Sequence, residues 1–385
     1  MYADTTDISS TNSRTSAVSA PRVLIAAGGT GGHVFPAIAI ADALKELNPD
    51  TEILFVGTRS RMEWEAVPRA GYLIKSIWIS GFQRSLTPQN LLFPLKLIVS
   101  LFQSLFILRR FRPDIVISCG GFAAGPVGWI AAKLGLPLIL QEQNSYPGVT
   151  NRLLAKHAFV IFTAFEAAAQ HLPEGKVTLT GNPLRSSLTQ MDRPRALKVF
   201  NFSSALPVLL VLGGSGGARV LNEAVEKHLE AFHNHLKLQI IWQCGQRYFE
   251  GLSQKIETAS YPNLRLLEFI DDMPAAYASA DLAVSRAGAA TCSELMLTGT
   301  PAVLVPSPNV AGDHQTQNAQ AMTDQGAAVL LEDHRAAEEL FVITENLISD
   351  SRKLDEMKQA ARRLAKPEAS QVIAKEILKY PKQTT

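Results

Sequence analysis

At 385 residues with 46% apolar side chains, the chain is too long for one ordinary core and fits two domains of about 150 to 190 residues. A net charge of +2 gives no whole-chain argument for nucleic-acid binding, so no nucleic-acid partner is expected. The three cysteines, Cys119, Cys244 and Cys292, are odd in number and widely spaced in apolar or glycine-rich surroundings, which reads as buried free thiols in a reducing compartment.

Residues 1–20 are rich in Ser and Thr, nearly devoid of large apolar side chains, and predict a disordered leader. They contain no apolar core of a secretory signal. Apolar runs of strand length then recur at Val23–Ala27, Ile53–Val56, Leu73–Ile77, Ile115–Ser118, Leu138–Leu140, Val160–Phe162 and Val177–Leu179, with longer helix-compatible stretches between them. The rhythm resumes with Val208–Leu212, Leu238–Trp242, Leu264–Phe269, Leu282–Ser285, Ala302–Val305 and Ala328–Leu331. Strands alternating with helices predict an α/β protein with doubly wound parallel sheets covered on both faces. Gly181-Asn182-Pro183 and the polar stretch to about Pro194 form the expected hinge, and residues 366–380 have helical spacing suited to packing back on the first domain.

Two glycine-rich loops share one internal pattern. Gly28-Gly29-Thr30-Gly31-Gly32 follows the first strand run, and Gly213-Gly214-Ser215-Gly216-Gly217 follows Val208–Leu212. A strand feeding glycines and then a helix places backbone N–H groups at the positive end of that helix, an arrangement suited to phosphate. Neither loop continues into Gly-Lys-Ser/Thr or has the spacing Gly-x-Gly-x-x-Gly, which disfavours an ATPase or a dehydrogenase. One loop per half points to a ligand held between the halves.

Ligands of open α/β sheets lie outside the carboxyl ends of the strands, where several polar residues of this chain collect. His33 follows the first loop at a helix start, where a positive helix end favours the neutral imidazole, a base or a donor to phosphate. Glu142 and Asn144 place a carboxylate and an amide after the strand Leu138–Leu140. Ser285 to Thr291 lead into a helix carrying Glu294, a carboxylate able to accept two ribose hydroxyls. No Asp-x-Asp and no His or Cys cluster of metal-ligand spacing occurs, so diphosphate neutralisation falls to backbone N–H groups and Arg185 or Arg219, with no cofactor and no obligatory metal expected. A divalent ion acting on lipid phosphates remains compatible with this.

The segment Leu91–Leu108 is strongly apolar, but its longest uncharged run, Leu97–Leu108, is too short to span a bilayer. Its apolar residues cover more than one helical face and lead into Arg109-Arg110 and Arg112, as an interfacial membrane contact requires. A helix packed wholly on the sheet is the alternative.

Taken with Val34-Phe35-Pro36, Glu142-Gln143-Asn144, Gly181-Asn182-Pro183-Leu184-Arg185, Phe269-Ile270-Asp271-Asp272-Met273 and Ser285-Arg286-Ala287-Gly288, the two loops give a sequence that resembles the MurG family of peptidoglycan N-acetylglucosaminyltransferases. The likeness runs from about Arg22 to the last helix. It implies a GT-B fold, two Rossmann-like domains with a cleft between them, divided here at 21–185 and 186–365. It further implies an inverting transfer of N-acetylglucosamine from UDP-N-acetylglucosamine to the 4-hydroxyl of N-acetylmuramyl-(pentapeptide)-pyrophosphoryl-undecaprenol, lipid I, at the cytoplasmic side of the inner membrane. By the resemblance, the Ile270 backbone meets uracil, Glu294 the ribose, and Ala289, Ala290, Thr291, Cys292 and Ser293 line the nucleotide site. Ser215 and Arg185 approach the diphosphate, while Thr30, Gly31, Gly32, Asn144 and Gln315 reach the sugar side. His33 is the expected base, with Glu142 its rival. Phe122 and Gln141 stand where family members often carry Tyr and His, and Gly216 where many have Gln. Two other enzymes of related fold, a different glycolipid glycosyltransferase and a UDP-sugar epimerase, remain alternatives, as does a non-catalytic nucleotide-sugar scaffold.

Overall fold

The computed structural model describes residues 20–81, 92–214, 216–310 and 313–380. The expected leader, Leu91 and Ser215 therefore lie, but for residue 20, outside the described residues. Each expected apolar run carries a strand. The first sheet is built from β1 (Arg22–Ala26), β2 (Glu52–Gly57), β3 (Leu73–Ser76), β4 (Ile115–Ser118), β5 (Leu138–Glu142), β6 (Val160–Thr163) and β7 (Val177–Leu179). The second contains β8 (Val208–Leu212), β9 (Gln239–Gln243), β10 (Leu264–Leu267), β11 (Leu282–Ser285), β12 (Ala302–Leu304) and β13 (Ala328–Leu330). Their orders are β3-β2-β1-β4-β5-β6-β7 and β10-β9-β8-β11-β12-β13, with every pairing parallel. The order reverses between β1 and β4, and again between β8 and β11. Those two switch points open crevices at the strand ends.

Continuous apolar strands follow from burial on both faces. In β1, Val23 and Ile25 join one core while Leu24 and Ala26 join the other, so no position in the strand's interior meets water. In the second sheet β8 is split between two cores in the same way.

Helix α1 (Gly31–Leu47) starts within the first glycine loop, and α2 (Glu63–Arg69) follows β2. Helix α3 (Phe93–Phe111) inverts the usual amphipathic plan. Its buried residues are Ser100, Ser104 and Leu108, whereas Phe102 and Phe106 are 69% and 66% exposed. The small serines let α3 lie close to α4 (Ala124–Lys133), and their hydroxyls are satisfied within the helix, Ser100 by the Leu97 carbonyl and Ser104 by that of Ser100. The packed-core alternative for this segment therefore holds for one narrow face only. Among the described residues no helix is long and apolar enough to cross a membrane.

The remaining helices of use below are α5 (Val149–Leu154), α6 (Arg193–Val199), α7 (Arg219–Asn234), α8 (Gln246–Lys255), α9 (Met273–Ser279), α10 (Ala289–Thr298), α11 (His314–Thr323), α12 (Ala336–Ser349), α13 (Ser351–Leu364) and α14 (Ala369–Leu378). Helix α14 lies along α1 and buries Ile373, Ala374 and Ile377 among Val23, Ile38 and Phe162, which returns the chain to the first sheet.

Candidate active site

The first glycine loop turns from β1 into α1, beside the Cys119-Gly120-Gly121 loop that ends β4. The two loops touch backbone to backbone. A Cβ on Gly121, whose φ is +85°, would stand 2.0 Å from the Gly28 carbonyl oxygen. The second glycine loop is held equally tightly, since a Cβ on Gly217 (φ +74°) would meet the Cys244 carbonyl oxygen at 2.0 Å. Part of the glycine demand in both loops is thus close packing between loops, with phosphate approach a separate matter.

His33 stands in the first turn of α1. Its Nδ1 is 3.1 Å from Thr30 Oγ1, and its ring lies against Gly120, where a Cβ would come within 2.8 Å of Cδ2. Burial pushes the His33 pKa below the usual histidine value. Facing groups divide: the carboxylates of Glu142 and Glu63 and a hydrogen bond to Gly28 raise it, while His314, at the start of α11, lowers it further. The neutral ring is the outcome expected from the sequence, but burial leads among its causes.

Glu142 ends β5 and is buried. One oxygen accepts from the Asn144 amide N–H (2.9 Å) and Nδ2 (3.1 Å), and the other from the Gly148 N–H (3.0 Å) and Asn151 Nδ2 (2.8 Å). Four donors fill its acceptor positions and tie the loop from Gln143 to Gly148 to α5. Asn144 remains half-buried beside it.

The two sheets meet through buried amides. Asn318 on α11 accepts from the backbone N–H and hydroxyl of Ser145 (3.0 and 2.8 Å) and donates to the Ala287 carbonyl. Asn182 donates to the Ser293 hydroxyl (2.9 Å) and to the carbonyls of Gln143 and Ala289, while Gln141 Nε2 donates to its Oδ1. All are buried, so each bond lies in a medium where an unmade one is costly. The cleft floor is therefore a fixed polar seam joining the strand end of Glu142 to the start of α10.

On the other wall, Ala289, Ala290, Thr291, Cys292, Ser293 and Glu294 form the first turns of α10, whose start is left open by Gly288. Glu294 Oε2 accepts from the hydroxyl of buried Tyr277 on α9 at 2.8 Å. Burial pushes the Glu294 carboxyl up to about 7, against the lowering effects of the Tyr277 hydroxyl and the Arg185 cation. Arg185 itself is exposed and lies 4.7 Å above the Phe35 ring, so it reaches from the hinge over the first domain. Ile270 is buried, and its N–H donates to Gln243 Oε1 at 3.2 Å while Gln243 Nε2 donates to the Gly214 carbonyl at 2.9 Å. One buried amide thus links the second glycine loop to the Ile270 segment. Gln315 on α11 accepts from the Ser307 N–H. Arg219 is exposed and pairs with Glu223 along its own helix, and the thiols of Cys119 and Cys292 are pushed up by burial to about 12, which keeps them inert.

Thr30, Gly31, Gly32 and His33 thus stand at the first switch point with Glu142 and Asn144 at the end of β5, two strands from β1, and Ala289–Glu294 stand at the second, with Ile270 after β10 and Gln315 after β12. Sequence patterns gave no role to Glu63, Tyr277, Gln243, Ser145 or Asn318, and Asn182 entered as part of the hinge and of the Gly181–Arg185 motif, without a role of its own. Their roles are contacts between distant parts of the chain, and only their polar type in apolar surroundings hinted at them.

Two Rossmann-like sheets with facing switch points and a polar seam between them define a GT-B glycosyltransferase architecture. The chain matches the glycosyltransferase family 28 N-terminal domain over residues 23–163 and the family 28 C-terminal domain over residues 208–376. Among curated relatives, the UDP-N-acetylglucosamine–N-acetylmuramyl-(pentapeptide) pyrophosphoryl-undecaprenol N-acetylglucosamine transferase of Flavobacterium psychrophilum is 44% identical over 360 residues, 93% of this chain and 97% of that one. The transferase of the same name from Christiangramia forsetii is 45% identical with the same coverage of both chains. The crystal structure of Acinetobacter baumannii MurG superposes with a TM-score of 0.73 at 30% identity, over 94% of this chain and 99% of that one. A UDP-N-acetylglucosamine 2-epimerase from Neisseria meningitidis shares the fold alone, at 16% identity and a TM-score of 0.68 over 93% of this chain and all, 100%, of that one. The chain belongs to the MurG family of glycosyltransferases.

Proposed function

We infer that the protein transfers N-acetylglucosamine from UDP-N-acetylglucosamine to the 4-hydroxyl of the N-acetylmuramyl unit of lipid I, giving lipid II. The observation that carries this is the correspondence to transferases of that name over 97% of their length, with both family 28 domains present in order. In an inverting displacement the acceptor oxygen attacks the anomeric carbon, the acceptor proton passes to a base, and the sugar–phosphate bond breaks with its electron pair leaving on UDP. His33 is the base in this reading: it is neutral, half-buried and at the rim of the first switch point. Glu142 holds the loop of Asn144 instead, because both its oxygens are taken. The nucleotide lies on the second domain, with Glu294 at the ribose, Ile270 at uracil, and Arg185 with the second glycine loop at the diphosphate. Release of UDP that requires both UDP-N-acetylglucosamine and a lipid I analogue is the expected assay result; release without acceptor, or epimerisation of the donor, overturns it. No metal is needed in this scheme, so the same assay in excess EDTA retains a substantial rate.

The carboxyl of Glu294 makes donor binding pH-dependent. Its pKa of about 7 lies above the ordinary carboxylate value, so the acid form grows as pH falls through 7 and one acceptor oxygen is lost to a proton. Affinity for UDP-N-acetylglucosamine, measured by calorimetry, is expected to be strong at pH 8 and to weaken toward about tenfold per pH unit below 7. In Glu294→Gln that dependence should vanish.

The protein acts at the cytoplasmic face of the inner membrane as a peripheral enzyme, and α3 supplies its contact. Phe102 and Phe106 line a groove with Trp64, Ile74, Arg59, Lys75 and Gln103, the Trp78 N–H donates to Gln103 Oε1, and Lys96 lies over the Trp78 ring. Apolar rings beside cations suit an interface with anionic headgroups. Phe102→Ser and Phe106→Ser should each lower co-sedimentation with anionic vesicles by about tenfold while leaving the melting temperature unchanged, since neither ring is in the core. Lost stability with intact vesicle binding contradicts this assignment.

A further inference from the structure

One fully buried carboxylate has no part in the scheme above. Glu63, at the start of α2, is wedged beneath the first glycine loop: a Cβ on Gly28 would come within 2.7 Å of its Oε1, and one on Gly57 within 2.6 Å of its Cγ. Oε2 accepts from the Gly29 N–H at 3.1 Å, and Oε1 from the Thr58 N–H and hydroxyl at 3.0 and 2.7 Å. Among the described residues no cation pairs with it.

Two consequences follow from elementary electrostatics. The Gly29 amide, which the loop pattern assigns to a ligand phosphate, is already bound to an anion that belongs to the protein. A buried negative charge under the loop also opposes a diphosphate there, and it favours a cation instead. The cation that forms nearby is the imidazolium of His33, made when the acceptor hydroxyl gives up its proton.

We propose that Glu63 is a positioning residue of the transfer reaction: through the Gly29 amide it fixes the glycine loop that carries Thr30 and His33, and its charge supports the imidazolium as the acceptor proton arrives. This rests on His33 being the base. The groups facing His33 are Glu142 from β5, His314 from α11, Glu63 from α2 and the Gly28 backbone, so both carboxylates favour the charged ring and His314 opposes it.

The test is the pH profile of kcat/KM for a lipid I analogue at saturating UDP-N-acetylglucosamine. Glu63→Gln removes the charge and keeps the shape. Loss of a nearby negative charge lowers the His33 pKa, so the acidic limb should move down by about half a pH unit, and the plateau should fall about two- to threefold as the base weakens. KM for the donor should not change. A limb that stays in place while only the melting temperature falls overturns the proposal. If Glu63→Gln does not fold, Glu63→Asp serves: it keeps the charge but retracts the carboxylate, so the limb stays and kcat falls as the loop shifts. Unchanged kcat in Glu63→Asp counts against the proposal. His33→Gln, measured alongside, separates the two ideas, because a wild-type limb that persists in it removes His33 as base, whereas a His33-dependent limb unmoved in Glu63→Gln removes Glu63 alone.

Discussion

Gly121→Ala should be among the most destabilising single-methyl additions in the molecule. An alanine at φ +85° costs about 1 to 2 kcal/mol in backbone strain. Its Cβ would also lie 2.0 Å from the Gly28 carbonyl oxygen, a backbone atom that cannot swing aside as a side chain can. Separating the two loops by the missing distance adds about 1 to 3 kcal/mol, the scale of overpacking in a close-packed interior. The sum, about 2 to 5 kcal/mol, is a large share of a domain's stability and predicts a fall in melting temperature of about 5 to 15 °C. Gly135→Ala is the control. Its φ is +73°, yet nothing lies within 4 Å of the new Cβ, so it should lose only the strain component. Equal losses in the two variants, by thermal melting, would contradict the close-packing account of the first loop. Activity of any folded Gly121→Ala should also drop, because the Gly28 carbonyl and the turn into His33 move together.

The strands were legible because both faces of each sheet are covered, which leaves runs such as Val208–Leu212 without a polar residue to break them. Glycine-rich turns after β1 and β8 marked the switch points for the same reason: only small residues fit where two strand-end loops meet. The exposed apolar face of α3 was legible too, since Phe102 and Phe106 could not share one narrow buried face with Leu101, Leu105 and Leu108. What the pattern concealed was that Ser100 and Ser104 do the inward packing, because helical periodicity scores serine as polar when its hydroxyl is in fact satisfied by its own helix. Asn182 showed in the sequence only as part of a motif and Ser145 and Asn318 not at all, for the seam's partners lie 111 and 173 residues apart. Glu142 shows the limit of reading chemistry from residue type. A carboxylate at a strand end facing the cleft fits a base, and only its four donors show that it holds a loop.

His33→Ala should lower kcat by about 10²- to 10⁴-fold, the range for removing a positioned general base, with little change in affinity for UDP-N-acetylglucosamine. The separation follows from geometry: His33 stands on α1 in the first wall, whereas the groups proposed to hold the nucleotide are on α10 and the loops of the second. Stability should largely hold, because the imidazole is half-buried, its hydrogen bonds are to Thr30 Oγ1 and the Gly28 backbone, and it fills no large core volume. Glu142→Gln should behave differently. An amide cannot accept four N–H donors, so two partners lose their acceptor, at about 1 to 3 kcal/mol each if they stay dry. That variant should melt earlier, and its rate should fall through a displaced Asn144 loop, so lowering the temperature or adding acceptor recovers part of its activity. The decisive measurement is the pair of rates at saturating donor and acceptor together with the two melting curves. A folded His33→Ala within about tenfold of the wild-type kcat, beside a stable Glu142→Gln that has lost about 10³-fold, would transfer the role of base to Glu142.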